Sequence, residues 1–349
     1  RPEANSLIER LVEEAARVAG IDSVTLRRRN LITAAMMPYK TPLGPNYDSG
    51  DFSACLDTAL ALADYAGFAA RRAQSAAAGK RRGLGIACFL EHSGGVPLEG
   101  AGLVFPGDDT VVLDLGSGPS GQGHRTVFGD VAAERLGLAA AQLRVRYGDS
   151  RFGVVGSGTV ASRSAMGVGG AIVKVVDKVI EKGRKVAALA LEAAEADIGY
   201  REGAFEVTGT DRRLSLFEVA QRAAALKQEG AIGETLDTTL TAETPHSYPN
   251  GCHIVEVEVD PETGQLALIS YNAADDTGRL LNPLIVEGQV HGGVAQGLGE
   301  VLLENIVYDR DSGQILAGSF MDYGMPRDDD MPPVLTDAIT EVPCTTNPL

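Results

Sequence analysis

A chain of 349 residues with 44% apolar and 22% charged residues can bury a large core without disulfide staples, which excludes disorder as its main state. Thirty-one Lys and Arg against forty-seven Asp and Glu leave a net charge of −16, which argues against nucleic-acid binding by phosphate neutralisation and against anchoring on anionic lipid. No run reaches the ~18 uninterrupted apolar residues of a membrane span, and the opening Arg-Pro-Glu does not read as a signal peptide.

Leu7, Ile8, Leu11, Val12, Ala15, Ala16 and Val18 recur at helical spacing, with Ser6 and Glu9 as a capping box and Gly20 as the stop. Asp22 caps a short helix through Arg27–Arg29, three arginines that read as a solvated helix end favourable to the macrodipole. After a Pro/Gly/Asn-rich loop from Met36 to Gly50, Asp51 or Ser53 opens a helix to Tyr65, and another runs to Ala78. Lys80-Arg81-Arg82 reads as a linker and domain boundary. Beyond it, strands are predicted at Leu84–Leu90, Thr110–Leu115, Leu143–Tyr147 and Phe205–Thr208. Helices are predicted from His124 to Leu136, from about Ser164 to Ala194 and, with a Ser215/Glu218 capping box, to Leu226. A hairpin of Ile254–Val259 and Leu266–Tyr271 turns at Asp260-Pro261-Glu262-Thr263-Gly264. Asn282-Pro283 then opens a helix to Leu303, followed by strands near Asn305–Tyr308 and Ile315–Gly318. Strand, strand, helix and strand occur once around 84–147 and again around 254–308, a weak internal repeat.

Glycine numbers 42 and clusters in three places. Gly116–Gly121 formally matches GxGxxG, but Pro119 removes an N–H that a dinucleotide phosphate would use. A Gly-rich turn, or a loop for another phosphate-bearing cofactor, remains open. Gly153–Ser164 combines glycines, hydroxyls and Arg163 ahead of a long helix, which suits an anion site or an N-cap cluster equally. The helix Gly288–Gly299 carries five glycines, each costing about 1 kcal/mol against Ala, so another backbone or a ligand is expected on that face. His291 there reads as structural, and no histidine has a triad-like partner in sequence. The four cysteines (Cys55, Cys88, Cys252, Cys344) show no zinc-ligand spacing, so no metal ligands are assigned and a reducing, cytoplasmic compartment is the simplest reading.

Several motifs keep a recognisable order. They are Arg1–Ala4, Leu26–Leu31 (LRRRNL), Tyr47–Phe52, Gly121–His124 (GQGH), Gly148-Asp149, Ser162-Arg163-Ser164, Asn250–His253 (NGCH), Asn282-Pro283, Gly288–Gly299 and Met321-Asp322-Tyr323. Together they resemble the molybdopterin-binding large subunit of the xanthine dehydrogenase, aldehyde oxidase and carbon monoxide dehydrogenase family. The resemblance implies an α+β class: a two-lobed molybdenum-cofactor-binding fold of repeated β-β-α-β units, present here in part. Residues 1–80 would be the tail of the first lobe with a helical connection, and 81–349 the second lobe. It implies molybdenum-molybdopterin, in the cytosine dinucleotide form of bacterial members. It also implies oxidation of an aldehyde, N-heterocycle or carbon monoxide with water-derived oxygen. Electrons would pass to an iron–sulfur small subunit and an FAD-binding medium subunit, in a homodimer of heterotrimers.

Carried over position by position, Gly121, Gln122 and Gly123 would contact the pterin and its phosphates. Thr159, Ala161, Ser162 and Ser164 would hold the cofactor tail, and Gln296 with Gly297 would lie near the pterin and metal. The family's catalytic glutamate follows an Asn-Pro-Leu-like stretch and is therefore expected beyond Leu349. The expectation is a piece of a longer polypeptide that is catalytically silent by itself. The alternatives are a non-catalytic cofactor-binding scaffold and an NAD-dependent oxidoreductase using the 116–121 loop.

Overall fold

The computed structural model describes residues 2–95 and 98–349, so Arg1 of the opening motif lies outside the described residues. In chain order the elements are α1 (Pro2–Ala19), α2 (Ser23–Asn30), β1 (Tyr39–Lys40), β2 (Asn46–Tyr47), α3 (Phe52–Leu62), α4 (Phe68–Ala77), β3 (Arg81–Leu90), β4 (Ser93–Gly94), β5 (Glu99–Val104) and β6 (Val111–Leu115). There follow α5 (His124–Leu136), β7 (Leu143–Tyr147), α6 (Ser164–Ala190), β8 (Ile198–Arg201), β9 (Ala204–Val207), β10 (Arg213–Ser215), α7 (Leu216–Gln228), β11 (Thr238–Ala242) and β12 (His246–Ser247). The last elements are β13 (Asn250–Val259), β14 (Leu266–Asp276), α8 (Pro283–Leu302) and β15 (Leu335–Thr340). No helix among the described residues is long and apolar enough to cross a membrane.

The chain forms two compact units. One takes the residues up to Glu91 together with Tyr248–Cys344; the other takes His92–Ser247 and Thr345–Leu349. This division does not follow residue 80, because α3 packs on β13 and β14 and α4 packs on β3.

In the first unit the sheet order is β15-β14-β13-β3, antiparallel except for the parallel β14–β15 pair. The β13–β14 hairpin closes as its turn sequence predicts: Gly264 N–H donates to Asp260 O at 2.8 Å and Glu262 N–H to Asp260 Oδ1 at 2.9 Å. Leu56 and Ala59 of α3 pack with Val24, Ile86, Ile254 and Ala274, each large apolar side chain contributing about 1.5–3 kcal/mol. Arg27 departs from the expected solvated helix end. Its side chain is buried, donating to Glu9 and Glu13 at 2.8 Å each and to Ile86 O at 3.1 Å. The Arg27 face of α2 turns toward α1 and β3, so its guanidinium is neutralised inside the protein.

In the second unit the main sheet is β11-β5-β6-β7, with β6 and β7 parallel and the other pairs antiparallel. α6 lies against β5 and β11 through fully buried Val168, Ala171, Ile172, Val175, Val176 and Val179. α5 packs on α6 and β7, and Gly137 ends it at φ +61°. A smaller sheet, β10-β9-β8, precedes α7, whose Ser215/Glu218 capping box forms as predicted.

Both units contain the β-β-α-β arrangement: β5–β6–α5–β7 and β13–β14–α8–β15 each end on a parallel strand reached through a helix. The copies differ in extent from the sequence reading. The first opens at β5, while Leu84–Leu90 belongs to β3 and pairs with β13 in the other unit's sheet. The second closes at β15, while 305–318 supplies only a Tyr308–Ile315 bridge around an Asp/Gly-rich turn.

Candidate cofactor-binding site

Parallel strands place two Gly-rich loops side by side. β6 and β7 run in register from Val111–Leu143 to Leu115–Tyr147, so the loops after Leu115 and Tyr147 leave the same end of the sheet. That is where α/β sheets bind ligands, beyond the carboxyl ends of parallel strands. The loops approach backbone to backbone. A Cβ on Gly116 would fall 2.0 Å from Val155 O, and one on Gly156 would fall 2.1 Å from the Gly116 carbonyl. A Cβ on Gly100 would meet Val155 O at 2.5 Å, and its N–H donates there at 2.7 Å.

Glu99 fastens this junction. The side chain is 2% exposed. Its Oε1 accepts from Ser117 Oγ at 2.6 Å, and its Oε2 accepts from the N–H and hydroxyl of Ser157 at 3.2 Å each. Ser117 Oγ in turn accepts from Gly158 N–H at 3.0 Å. One buried carboxylate therefore ties the start of β5 to both loops.

The sequence-predicted residues sit on this scaffold. Gly121 and Gly123 have φ of +97° and +71°; Gly121 faces open space, and Gly123 caps α5 without a side chain. Gln122 Oε1 accepts from Ser120 N–H at 2.5 Å, turning the loop into the helix. Thr159 donates to Gly118 O at 2.6 Å, and Ser164 donates to Thr159 at 3.2 Å. Those two hydroxyls therefore position one loop on the other. Ala161 and Ser162 both hold left-handed backbone, φ +56° and +52°, strained for side-chain-bearing residues. The Ser162 carbonyl is held by Ser93 Oγ at 2.5 Å and Gly94 N–H at 3.3 Å. Arg163 turns its guanidinium onto Gly158 O at 3.3 Å and onto Ser157 O, and gives α6 no side-chain cap. α5 and α6 thus both begin without a capping side chain, which leaves their first backbone N–H groups without a side-chain acceptor at the positive end of the helix dipole.

Gln296 and Gly297 lie exposed on α8 of the other unit. Asn282 caps α8 as predicted, accepting from Ile285 N–H at 3.1 Å. Gly288, Gly292, Gly293 and Gly297 would each admit a Cβ into open space, whereas Gly299 packs on Pro326 and Glu304. His291 Nε2 meets Asp337 Oδ1 at 3.1 Å, a polar tie between α8 and β15 that also brings Glu287 into the cluster.

Sequence reasoning missed Glu99 and His124. His124 is buried, and its Nδ1 has no hydrogen-bond partner among the described residues. Burial holds its pKa below the ordinary value, against the opposing pull of the Ser117 backbone and Glu99. It also missed a network in the first unit: His253 Nδ1 pairs with Tyr271 Oη at 2.9 Å and Nε2 with Asp275 Oδ1 at 3.2 Å. Both partners are diagonal cross-strand neighbours, since His253 faces Ala273. The turn alone could not have revealed it, because a register shift between Glu256 and Val257 moves His253 opposite Ala273.

The orphaned imidazole nitrogen, the bare glycines and the two uncapped helix starts fit a polar, phosphate-bearing ligand. Residues 58–332 match the family described as a molybdopterin cofactor-binding domain. The chain is 35% identical over 341 residues to the nicotine 6-hydroxylase large subunit of Paenarthrobacter nicotinovorans, covering 93% of this chain and 41% of that one. It is 30% identical over 340 residues to the carbon monoxide dehydrogenase large chain of Hydrogenophaga pseudoflava, covering 93% and 42%. Among solved structures, the Cu,Mo-CO dehydrogenase in its carbon monoxide reduced state aligns with a TM-score of 0.89 at 29% identity, over 99% of this chain and 46% of that one. Quinoline 2-oxidoreductase from Pseudomonas putida 86 aligns with a TM-score of 0.86 at 30% identity, over 97% and 45%. The chain thus spans less than half the length of these relatives. With its α+β units and both Gly-rich loops in place, the chain belongs to the molybdopterin-binding large-subunit family of xanthine dehydrogenases, aldehyde oxidases and carbon monoxide dehydrogenases.

Proposed function

We propose that this chain supplies part of the cofactor cradle of a molybdenum hydroxylase. The observation that carries the reading is the pair of Gly-rich loops fastened by Glu99 beneath two uncapped helix starts. Gly121, Gln122 and Gly123 present bare backbone and an amide to the phosphate-bearing end of the cofactor. Ala161 and Ser162 present left-handed backbone N–H groups, while Thr159 and Ser164 keep that loop in register. Gln296 and Gly297 belong to an open small-residue face suited to the pterin. When bound, molybdopterin supplies two-electron redox chemistry at molybdenum. The residues described here bind and orient it, and the base for proton transfer is a glutamate beyond Leu349.

The parent would oxidise an aldehyde, an N-heterocycle or carbon monoxide; relatives named for nicotine and quinoline favour the heterocycle. The cofactor would be the cytosine dinucleotide form. Electrons would leave to an iron–sulfur subunit and an FAD subunit in a cytoplasmic homodimer of heterotrimers. The nicotinamide alternative loses support at Gly118, the glycine a pyrophosphate would approach in such a fingerprint, because the Tyr147 ring lies 3.1 Å from where its Cβ would stand.

Metal analysis of the purified parent, with identification of the nucleotide released by acid, tests the proposal. Molybdenum with equimolar cytidine nucleotide is expected, and both should fall in Gln122→Ala and Gln296→Ala. A folded parent with neither component, or unchanged loading in both variants, sinks it.

A further inference from the structure

Cys88 on β3 stands directly opposite Cys252 on β13 in an antiparallel ladder without a register shift. The Glu91 N–H donates to Pro249 O at 2.8 Å, which makes 91/249 a hydrogen-bonded pair. Such pairs alternate along an antiparallel ladder, so Cys88/Cys252, three steps further in, is a non-hydrogen-bonded pair. These are the closest cross-strand positions, with Cα atoms about 4.5 Å apart and both side chains on one face. That spacing lies inside the ~4.4–6.8 Å window a disulfide needs. Neither Cys55 nor Cys344 has a cysteine opposite it: Cys55 is buried beside Thr340 Oγ1 at 3.5 Å, and Cys344 lies beyond β15.

The two thiols differ in reach. Cys252 is 1% exposed, within the apolar cluster of Leu56, Ile86 and Ile254, whereas Cys88 is only half-buried at its edge. The two thiols sit close enough to perturb each other: their interaction, with Arg27 adding to it, holds Cys88 down, while the pair interaction and burial push Cys252 up. Cys88, the more accessible thiol, is the first nucleophile and Cys252 the resolving thiol.

We propose that Cys88 and Cys252 form a reversible cross-strand disulfide, a thiol-modification site addressed by low-molecular-weight disulfides such as glutathione disulfide. The Cys88 thiolate attacks one sulfur of the reagent and releases one glutathione thiolate, which takes up the Cys88 proton. The Cys252 sulfur attacks Cys88 Sγ in the mixed disulfide as its thiol proton passes to the departing glutathione thiolate, which leaves as the second glutathione thiol. Two protein thiols are oxidised, and one small disulfide is reduced to two thiols. The bond closes β3 to β13 within four residues of Glu91 and Tyr248, where the chain leaves for 92–247 and returns.

The purified protein carrying this chain is incubated with glutathione disulfide, quenched in acid, alkylated, digested and read by mass spectrometry. Wild type and the Cys55→Ser/Cys344→Ser variant should both yield a Cys88–Cys252 cross-linked peptide lighter by two hydrogens. Cys88→Ser should yield none. Amide exchange in β3 and β13 should slow about tenfold on oxidation and recover with dithiothreitol. The proposal is overturned if both cysteines stay alkylatable in excess reagent, if Cys88 stops as a glutathione adduct, or if Cys252 joins another cysteine. Should Cys88→Ser fail to fold, the Cys55→Ser/Cys344→Ser variant still decides.

Discussion

Glu99, Gly116 and His124 carry the most information per side chain in the second unit. Truncating Glu99 to Ala strands the donors of Ser117 and Ser157, a loss of about 2–3 kcal/mol visible as a lower urea midpoint. Gly116→Ala must push Val155 aside and should destabilise the unit more than Gly233→Ala, whose added methyl meets open space without a left-handed backbone; thermal melts of the two variants make the comparison. His124 titrates in a predictable direction. Its folded pKa is depressed by burial, so the unfolded chain takes up the proton first, near ~6.5. The stability it contributes is complete above about pH 6.5 and is lost as pH falls through the folded pKa. Urea midpoints at neutral and mildly acidic pH should show a decline in wild type that His124→Asn lacks. None of these roles could be read from neighbouring letters. Glu99 opens Glu-Gly-Ala-Gly-Leu-Val, a strand whose glycines hide its β character, and its partners lie eighteen and fifty-eight residues away. Gln122, by contrast, stood out because it is framed by glycines at a strand-to-helix turn.

Helix ends were the most legible elements, because caps and stops are local chemistry. Asp22, Asp51, Ser215 and Asn282 each accept the backbone N–H their spacing implies, and Gly137 stops α5 where it stands in the sequence. α1 is an exception: it begins at Pro2, leaving Ser6 inside the helix, since proline at the first turn is itself a start signal. Strands depend on partners elsewhere, so β5, β11 and β15 escaped notice and β3 was credited to the wrong repeat. Four of the α8 glycines face open space, so their helix-propensity cost is not repaid by packing within the chain. Gly297→Ala restores helix propensity without a clash, so the variant should gain about 0.5–1 kcal/mol. If the pterin lies on that face, the same variant loses molybdenum. Stability and metal content moving in opposite directions is the expected signature; a stabilised protein with full metal content removes Gly297 from the site.

At the scale of the whole chain, the ordered motifs pointed to the family that the comparisons show. The interleaving of the two units could not be foreseen, because it depends on β3 and β13 pairing across 92–247. The chain spans less than half the length of its relatives. On the proposed reading, which places the proton-accepting glutamate outside the cradle described here, the isolated chain should turn over neither aldehydes nor N-heterocycles, and sustained turnover in a steady-state assay would show another base at work. If the Gly-rich loops of the second unit grip a phosphate-bearing cofactor, hydrogen–deuterium exchange on the parent protein, loaded with cofactor and stripped of it, will register that grip. Protection on loading should concentrate at residues 121–126 and 157–165. Unchanged exchange in both segments, with protection confined to other parts of the chain, would contradict it.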